Sequence, residues 1–160
     1  QATEKTVSRV DSVTDVLSGK LSDIIAQKTK GVIQVDSECI VAAAARKMRD
    51  EKVGGLMIVE NETLVGIFTE RDLMSRVVAE GLDPEKIQVS EVMTSSIATV
   101  PPETSVSTAA NLMSQNRIRH LPVLQDGKLY GVISAGDILA WKLSEQEFTL
   151  HQLEDYFFKT

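Results

Sequence analysis

Apolar positions along the chain fall into short blocks that switch between strand-like runs and helical intervals, and the whole succession occurs twice. Residues 32–35 form a short apolar stretch of strand type. Asp36 and Ser37 then offer side-chain oxygens for a helix start, and 40–49 is rich in alanine at helical spacing. Residues 56–59 and 64–68 are two further apolar runs split by the polar Glu60-Asn61-Glu62, which predicts a hairpin, and 70–79 returns to helical spacing. The predicted unit is β-α-β-β-α. In the second copy the turn is Gln125-Asp126-Gly127-Lys128, whose Asp-Gly is a strong hairpin marker, and Pro101-Pro102 fixes the approach to a helix over 104–115.

The two copies align without a gap from residues 56–72 to 121–137, at a constant offset of 65. The same offset carries Val35 to Val100, Ala44 and Ala45 to Ala109 and Ala110, and Met48 to Met113. Near the front it becomes 68, residues 21–25 matching 89–93, which implies three extra residues in the loop 26–30 of the first copy. Loops absorb such insertions at little cost. The expected organisation is an N-terminal helical extension (1–20), a first repeat (21–80), a second repeat (81–143) and a C-terminal helical tail (144–160), with Gly81 and Pro84 in the link. A unit of ~60 residues with three short strands buries little surface alone. The expected fold class is therefore α/β (α+β), with two β-α-β-β-α repeats packed sheet to sheet in pseudo-two-fold symmetry and flanked by terminal helices. Val7, Val10, Val13 and Leu17 recur at helical intervals, as do Phe148, Leu150, Leu153, Tyr156 and Phe157. These terminal stripes are expected to dock on the chain itself or on a dimer mate rather than on an effector protein.

Composition narrows the function more than the fold. At 160 residues and 17.5 kDa, with 42% hydrophobic and 25% charged residues, the chain has the make-up of one globular domain or two small ones sharing a core. A net charge of -6 gives no electrostatic drive toward nucleic acid or anionic lipid, and 4% aromatic residues leave few stacking platforms for single strands. No apolar run approaches the ~18 to 20 residues that cross a bilayer. Neither nucleic acid nor membrane is an expected partner. The single cysteine, Cys39, has no disulfide partner and is expected to be a small half-buried filler, in the cytoplasm or another reducing compartment. Because the numbering starts at Gln1 rather than at a methionine, organelle targeting stays open.

The repeated chemistry sits where the third strand meets the last helix. Thr69 and Asp72, then Ser134 and Asp137, place a hydroxyl and a carboxylate three residues apart. Such a pair makes a capping box, in which two side chains satisfy backbone N–H groups that a helix start leaves unpaired, worth about 0.5 to 2 kcal/mol. Against this, both third positions hold Asp where the box prefers Glu or Gln, and a short rigid carboxylate suits a ribose diol. From these residues alone capping outweighs binding, and both stand. With two histidines, His120 and His151, and one cysteine, no metal site is expected. No Gly-rich phosphate loop, nucleophile elbow or zincin pair occurs, so no catalytic residues are expected.

The runs Gly-Ile-Phe-Thr-Glu-Arg-Asp-Leu (66–73) and Gly-Val-Ile-Ser-Ala-Gly-Asp-Ile (131–138), the second preceded by Ile118-Arg119-His120-Leu121-Pro122-Val123, resemble a tandem pair of CBS (cystathionine-β-synthase) domains, a Bateman module, over about residues 21–143. The resemblance implies a non-catalytic regulatory module. It would bind an adenosine-containing ligand, AMP, ADP or ATP first and related adenosyl groups next, in the inter-repeat cleft, and signal occupancy through a conformational change. It also implies a homodimer and, as a further partner, a regulated effector protein or enzyme; no other cofactor is required. Carried over residue by residue, a primary pocket joins Ile67, Thr69, Arg71 and Asp72 to Ile97, Ala98, Arg119, His120 and Leu121. A second, weaker pocket joins Ser134 and Asp137 to Gly31, Val32, Val53, Gly55 and Leu56. The second has lost charge, with Gly136 in the place of Arg71 and Gly54-Gly55 in the place of Arg119-His120, and Met57 stands where Pro122 stands. The alternative is a structural dimerisation or docking module whose pockets are vestigial.

Overall fold

Residue pairs 65 apart share unusual backbone conformations as well as sequence. The structure, a computed structural model, describes residues 17–145. The expected terminal helices, apart from residues 17–20, which are not helical, and 144–145, which end α5, lie outside the described residues, as does His151. Chain order runs α1 (Leu21–Gln27), β1 (Gln34–Asp36), α2 (Val41–Glu51), β2 (Gly55–Glu60), β3 (Thr63–Thr69) and one helical turn, α3 (Glu70–Asp72). A π-helix (Leu73–Val78) and a 3-10 turn (Val89–Glu91) follow, then α4 (Val106–Asn116), β4 (His120–Gln125), β5 (Lys128–Ser134) and α5 (Ala135–Glu145). The helices α2 and α4 both end on a left-handed residue, Lys52 at φ 57° and Arg117 at φ 53°. Both hairpins turn on two positive-φ residues, Asn61-Glu62 (50° and 65°) and Asp126-Gly127 (53° and 77°), which match the right-handed twist of the flanking strands.

In the first sheet β1 lies parallel to β2, from Gln34 opposite Met57 to Asp36 opposite Val59, and β2 runs antiparallel to β3, from Gly55 opposite Thr69 to Glu60 opposite Thr63. Val41, Ala44 and Met48 recur on one face of α2 and meet Leu56, Ile58 and Phe68 from the sheet, together with Val77, Val89 and Val92. Full burial of each larger side chain in this cluster is worth about 1.5 to 3 kcal/mol. The alanines that lead both alanine-rich helices inward, Ala44 and Ala109, are fully buried.

The second copy departs from the predicted unit, because among the described residues its sheet has β4 and β5 as its named strands and its first strand is reduced to the bridge residue Val100. In the first copy the Met57 N–H donates to the Ile33 carbonyl at 3.1 Å and helps hold β1 on β2. Pro122 stands at the matching position and has no N–H to give, and Pro101-Pro102 occupy the place of Asp36-Ser37. The helix predicted over 70–79 is also different. After α3 it widens, with the Ala79 N–H donating to the Met74 carbonyl five residues back at 2.9 Å.

The chain forms two compact units, and they cut across the two repeats. Of the described residues, one holds 17–28, Val100–Leu121 and 132–145; the other holds Thr29–Thr99 and Pro122–Gly131. The leading segments are exchanged. In the first unit the Leu21 and Ser22 N–H groups donate to the Thr104 and Pro102 carbonyls at 2.9 and 3.0 Å, and Leu21 and Ile24 are buried. In the second unit the Val89 and Ser90 N–H groups donate to the Cys39 and Ser37 carbonyls at 2.7 and 3.2 Å, and Val89 and Val92 complete the core. The leading segment of each repeat therefore folds onto the helix start of the other.

Candidate ligand-binding site

Thr69 ends β3 in an extended conformation and caps α3. Its hydroxyl accepts from the Asp72 N–H at 3.3 Å, while Asp72 Oδ2 accepts from the Thr69 N–H at 3.0 Å and from the Thr69 hydroxyl at 3.2 Å. The reciprocal capping box is complete. Asp72 is 4% exposed, and its other oxygen, Oδ1, accepts the Thr94 hydroxyl at 3.0 Å with Arg76 Nε at 3.7 Å. Arg76 in turn donates to the Met93 carbonyl at 2.8 Å. Thr94 is fixed by two backbone hydrogen bonds with Ile67, at 2.8 and 2.9 Å. This close approach requires Gly66, where a Cβ would lie 2.5 Å from Met93 Sδ and 3.0 Å from the Thr94 carbonyl oxygen.

The second copy repeats the box with a different outer partner. Asp137 Oδ2 accepts from the Ser134 N–H at 2.8 Å, and the Ser134 hydroxyl accepts from the Asp137 N–H at 3.0 Å. The same Oδ2 accepts from Lys28 Nζ at 2.9 Å, and Lys28 also donates to the Val132 carbonyl at 2.8 Å. The Asp137 end was expected to be poor in positive charge; it holds an ammonium group.

The expected residues of the primary pocket are divided between the compact units, with Ile67, Thr69, Arg71, Asp72, Ile97 and Ala98 in one and Arg119, His120 and Leu121 in the other. Ile67 and Leu121 are buried, Ile97, Ala98 and His120 half-buried, and Arg71 and Arg119 exposed. In the second set Gly31, Val32, Val53, Gly55 and Leu56 lie in one unit and Ser134 and Asp137 in the other. Gly31 is exposed, Val32 and Val53 half-buried, and Gly55 and Leu56 buried. Within each unit the strand entrance meets the helix start of its own repeat. The Glu70 N–H donates to the Gly54 carbonyl at 3.0 Å, and the Ala135 N–H to the Arg119 carbonyl at 2.9 Å.

Three residues at these carboxylates, Thr94, Arg76 and Lys28, escape the sequence reading. Thr94 directly follows the repeated segment 89–93 and could have been flagged by its position; Lys28 falls in the inserted loop, which has no counterpart to compare. Cys39 is half-buried against the core, and burial pushes its thiol up from its ordinary value, with Asp36 adding to the shift and Lys47 opposing it. Among the described residues no group of three or more His, Cys, Asp or Glu side chains converges on a metal position, and no helix is long and apolar enough to cross a membrane.

The CBS-domain family model matches residues 21–79 and again 89–144. The chain belongs to the CBS-domain family. A mitochondrial CBS domain-containing protein of Arabidopsis thaliana, CBSX3, is 33% identical over 148 residues, covering 87% of this chain and 72% of its own. Among solved structures, a protein with CBS domains from Burkholderia ambifaria MC40-6 superposes with a TM-score of 0.78 at 32% identity, over 82% of this chain and 99% of that one. A hexameric CBS-CP12 protein from bloom-forming cyanobacteria gives a TM-score of 0.67 at 34% identity, over 76% of this chain and 67% of that one. CBS pairs are in general regulatory modules that commonly bind adenosine ligands, and stand-alone pairs are typically non-catalytic.

Proposed function

We propose that this CBS pair is a non-catalytic sensor of an adenosine-containing ligand, AMP, ADP or ATP, held at the hydroxyl-x-x-aspartate ends of its repeats. The observation that carries the reading is the solvation of Asp72. This nearly buried carboxylate takes two hydroxyl donors, Thr69 Oγ1 and Thr94 Oγ1, and its arginine stands off at 3.7 Å. A ribose diol presents O–H donors of the same kind, so a nucleoside can replace one hydroxyl by another without leaving the charge unpaired. Arg71, next to Asp72 and exposed, supplies a cation for phosphate.

Sensing then needs only that the ligand favour one of two conformations, because a ligand that binds both equally shifts neither. A calorimetric screen of AMP, ADP, ATP, NAD and S-adenosylmethionine tests the reading, with the nucleotide recovered after long incubation. Saturable binding of at least one ligand and its recovery unchanged are expected. No heat from any of them contradicts binding, and conversion of the nucleotide contradicts the non-catalytic assignment.

A second reading, a dimerisation or docking module, is favoured by a specific feature. Met74 and Val78 are 58% and 68% exposed four residues apart on the π-helix, Leu82 beyond it is exposed, and Leu139, 65 residues after Met74, is exposed as well. Such side chains suit a symmetric contact with a second copy. Dimerisation is compatible with sensing, and a homodimer is part of the proposal; the vestigial pockets of the second reading are not.

A further inference from the structure

Lys28 is the C-terminal cap of α1 and lies in the loop lengthened by three residues relative to the second repeat. Its ammonium group bridges Asp137 Oδ2 and the Val132 carbonyl, at 2.9 and 2.8 Å, and the two charged side chains are 29% and 22% exposed. Asp72, the matching carboxylate, has the neutral Thr94 hydroxyl as its close outer donor instead. The two ends of the pair thus differ in what an incoming hydroxyl has to displace. At Asp72 a hydroxyl exchanges for a hydroxyl; at Asp137 a diol that engages both carboxylate oxygens has to compete with Lys28 for Oδ2, the oxygen that holds the half-buried ion pair.

We propose that Lys28 is the specificity-determining residue of the Asp137 end, closing it to neutral adenosine and opening it to adenosine that carries phosphate. The inference rests on the adenosine reading above and concerns which members of that ligand class the second end admits. Displacing Lys28 from the carboxylate strands a partly desolvated ammonium group, which is costly unless a new anion meets it. A nucleotide brings that anion, and Lys28 on its flexible four-carbon stem can swing from carboxylate to phosphate as a point charge. Adenosine brings none. The cost of parting the pair also makes the Asp137 end the weaker of the two.

The test uses the full chain carrying Asp72→Ala, so that the remaining binding reports on Asp137, with and without Lys28→Met, titrated calorimetrically with AMP and with adenosine. Asp72→Asn serves as a second background if the alanine variant melts below the assay temperature. With Lys28 present, AMP is expected to bind at least tenfold more tightly than adenosine. Lys28→Met should tighten adenosine several-fold, weaken AMP, and bring the ratio close to one, whereas Lys28→Arg should keep the preference. An unchanged AMP-to-adenosine ratio in Lys28→Met, even with a lowered melting temperature, overturns the inference and leaves Lys28 a structural tie. Absence of binding in the wild-type chain as well as in every variant overturns the adenosine reading itself, and the specificity role with it.

Discussion

Thr94 of the second repeat donates its hydroxyl to Asp72 Oδ1 of the first at 3.0 Å, inside a single compact unit. The contact exists because the repeats exchange their leading segments, which lays residues 89–94 along the first repeat and pairs Thr94 with Ile67 through two backbone hydrogen bonds. Asp72 is thereby tied to the leading segment of the second repeat. In the proposed reading, a ligand at Asp72 competes with this hydroxyl.

Thr94→Val removes the hydroxyl at nearly constant volume and leaves Asp72 Oδ1 without its close donor. A hydrogen bond to a charged group contributes about 1.5 to 3 kcal/mol, so urea unfolding is expected to show a loss in that range. An unchanged unfolding midpoint would mean that water or Arg76 replaces the hydroxyl at no cost.

Gly66→Ala should disturb the same contact from the other side. The added methyl meets Met93 Sδ and the Thr94 carbonyl oxygen, and overpacking of this kind typically costs about 1 to 3 kcal/mol. The expected outcome is a lower melting temperature together with faster hydrogen exchange at the Ile67 and Thr94 amides. Wild-type exchange at those two amides would show that Met93 moves aside without loosening the pairing.

Much of this was legible in the sequence, and the reasons for the rest are specific. The offset of 65 between Thr69-Asp72 and Ser134-Asp137 locates both capped carboxylates, and Asp126-Gly127 announces its own hairpin. Asn61-Glu62 lacks glycine, yet its place 65 residues earlier is enough to identify the same turn. Periodicity tells which face of a segment is apolar but not which copy covers it, so Leu21 and Val89 could be read as buried without revealing the exchange. The first strand of the second copy shrinks to a single bridge residue, Val100, through a donor deficit at Pro122, visible only once Met57 is seen to need its N–H. The Lys28–Asp137 pair was out of reach, since repeat logic says nothing about a loop that only one repeat contains.

The exposed apolar side chains Met74, Val78 and Leu82 give an assembly prediction. Light scattering of the wild-type chain at micromolar concentration should give about twice 17.5 kDa or a higher multiple. Met74→Asp combined with Val78→Asp should shift the mass toward 17.5 kDa, because neither side chain belongs to the core. A wild-type monomer with and without nucleotide would contradict the homodimer.

Cys39 provides a pH prediction with a definite sign. Burial raises the folded thiol above its ordinary value of 9.0, so the folded state prefers the protonated form. The resulting contribution to stability is full below the unfolded value and is lost as pH climbs through the folded one. Alkylation by iodoacetamide at pH 8 should accordingly be slower in the folded chain than in urea, and Cys39→Ser should show less loss of stability above pH 9 than the wild type. Equal alkylation rates in the two states would contradict the burial argument.

The most direct test of the central claim is AMP titration of the wild type, Asp72→Ala and Asp137→Ala by calorimetry, each variant first checked for a cooperative melt. Loss of a hydrogen bond to a charged group corresponds to roughly tenfold in affinity or more. The account predicts that Asp72→Ala weakens the dominant binding event by at least that factor while Asp137→Ala leaves most of it. Wild-type affinity for AMP in a folded Asp72→Ala would contradict it, and would leave Asp72 as a helix cap and nothing more.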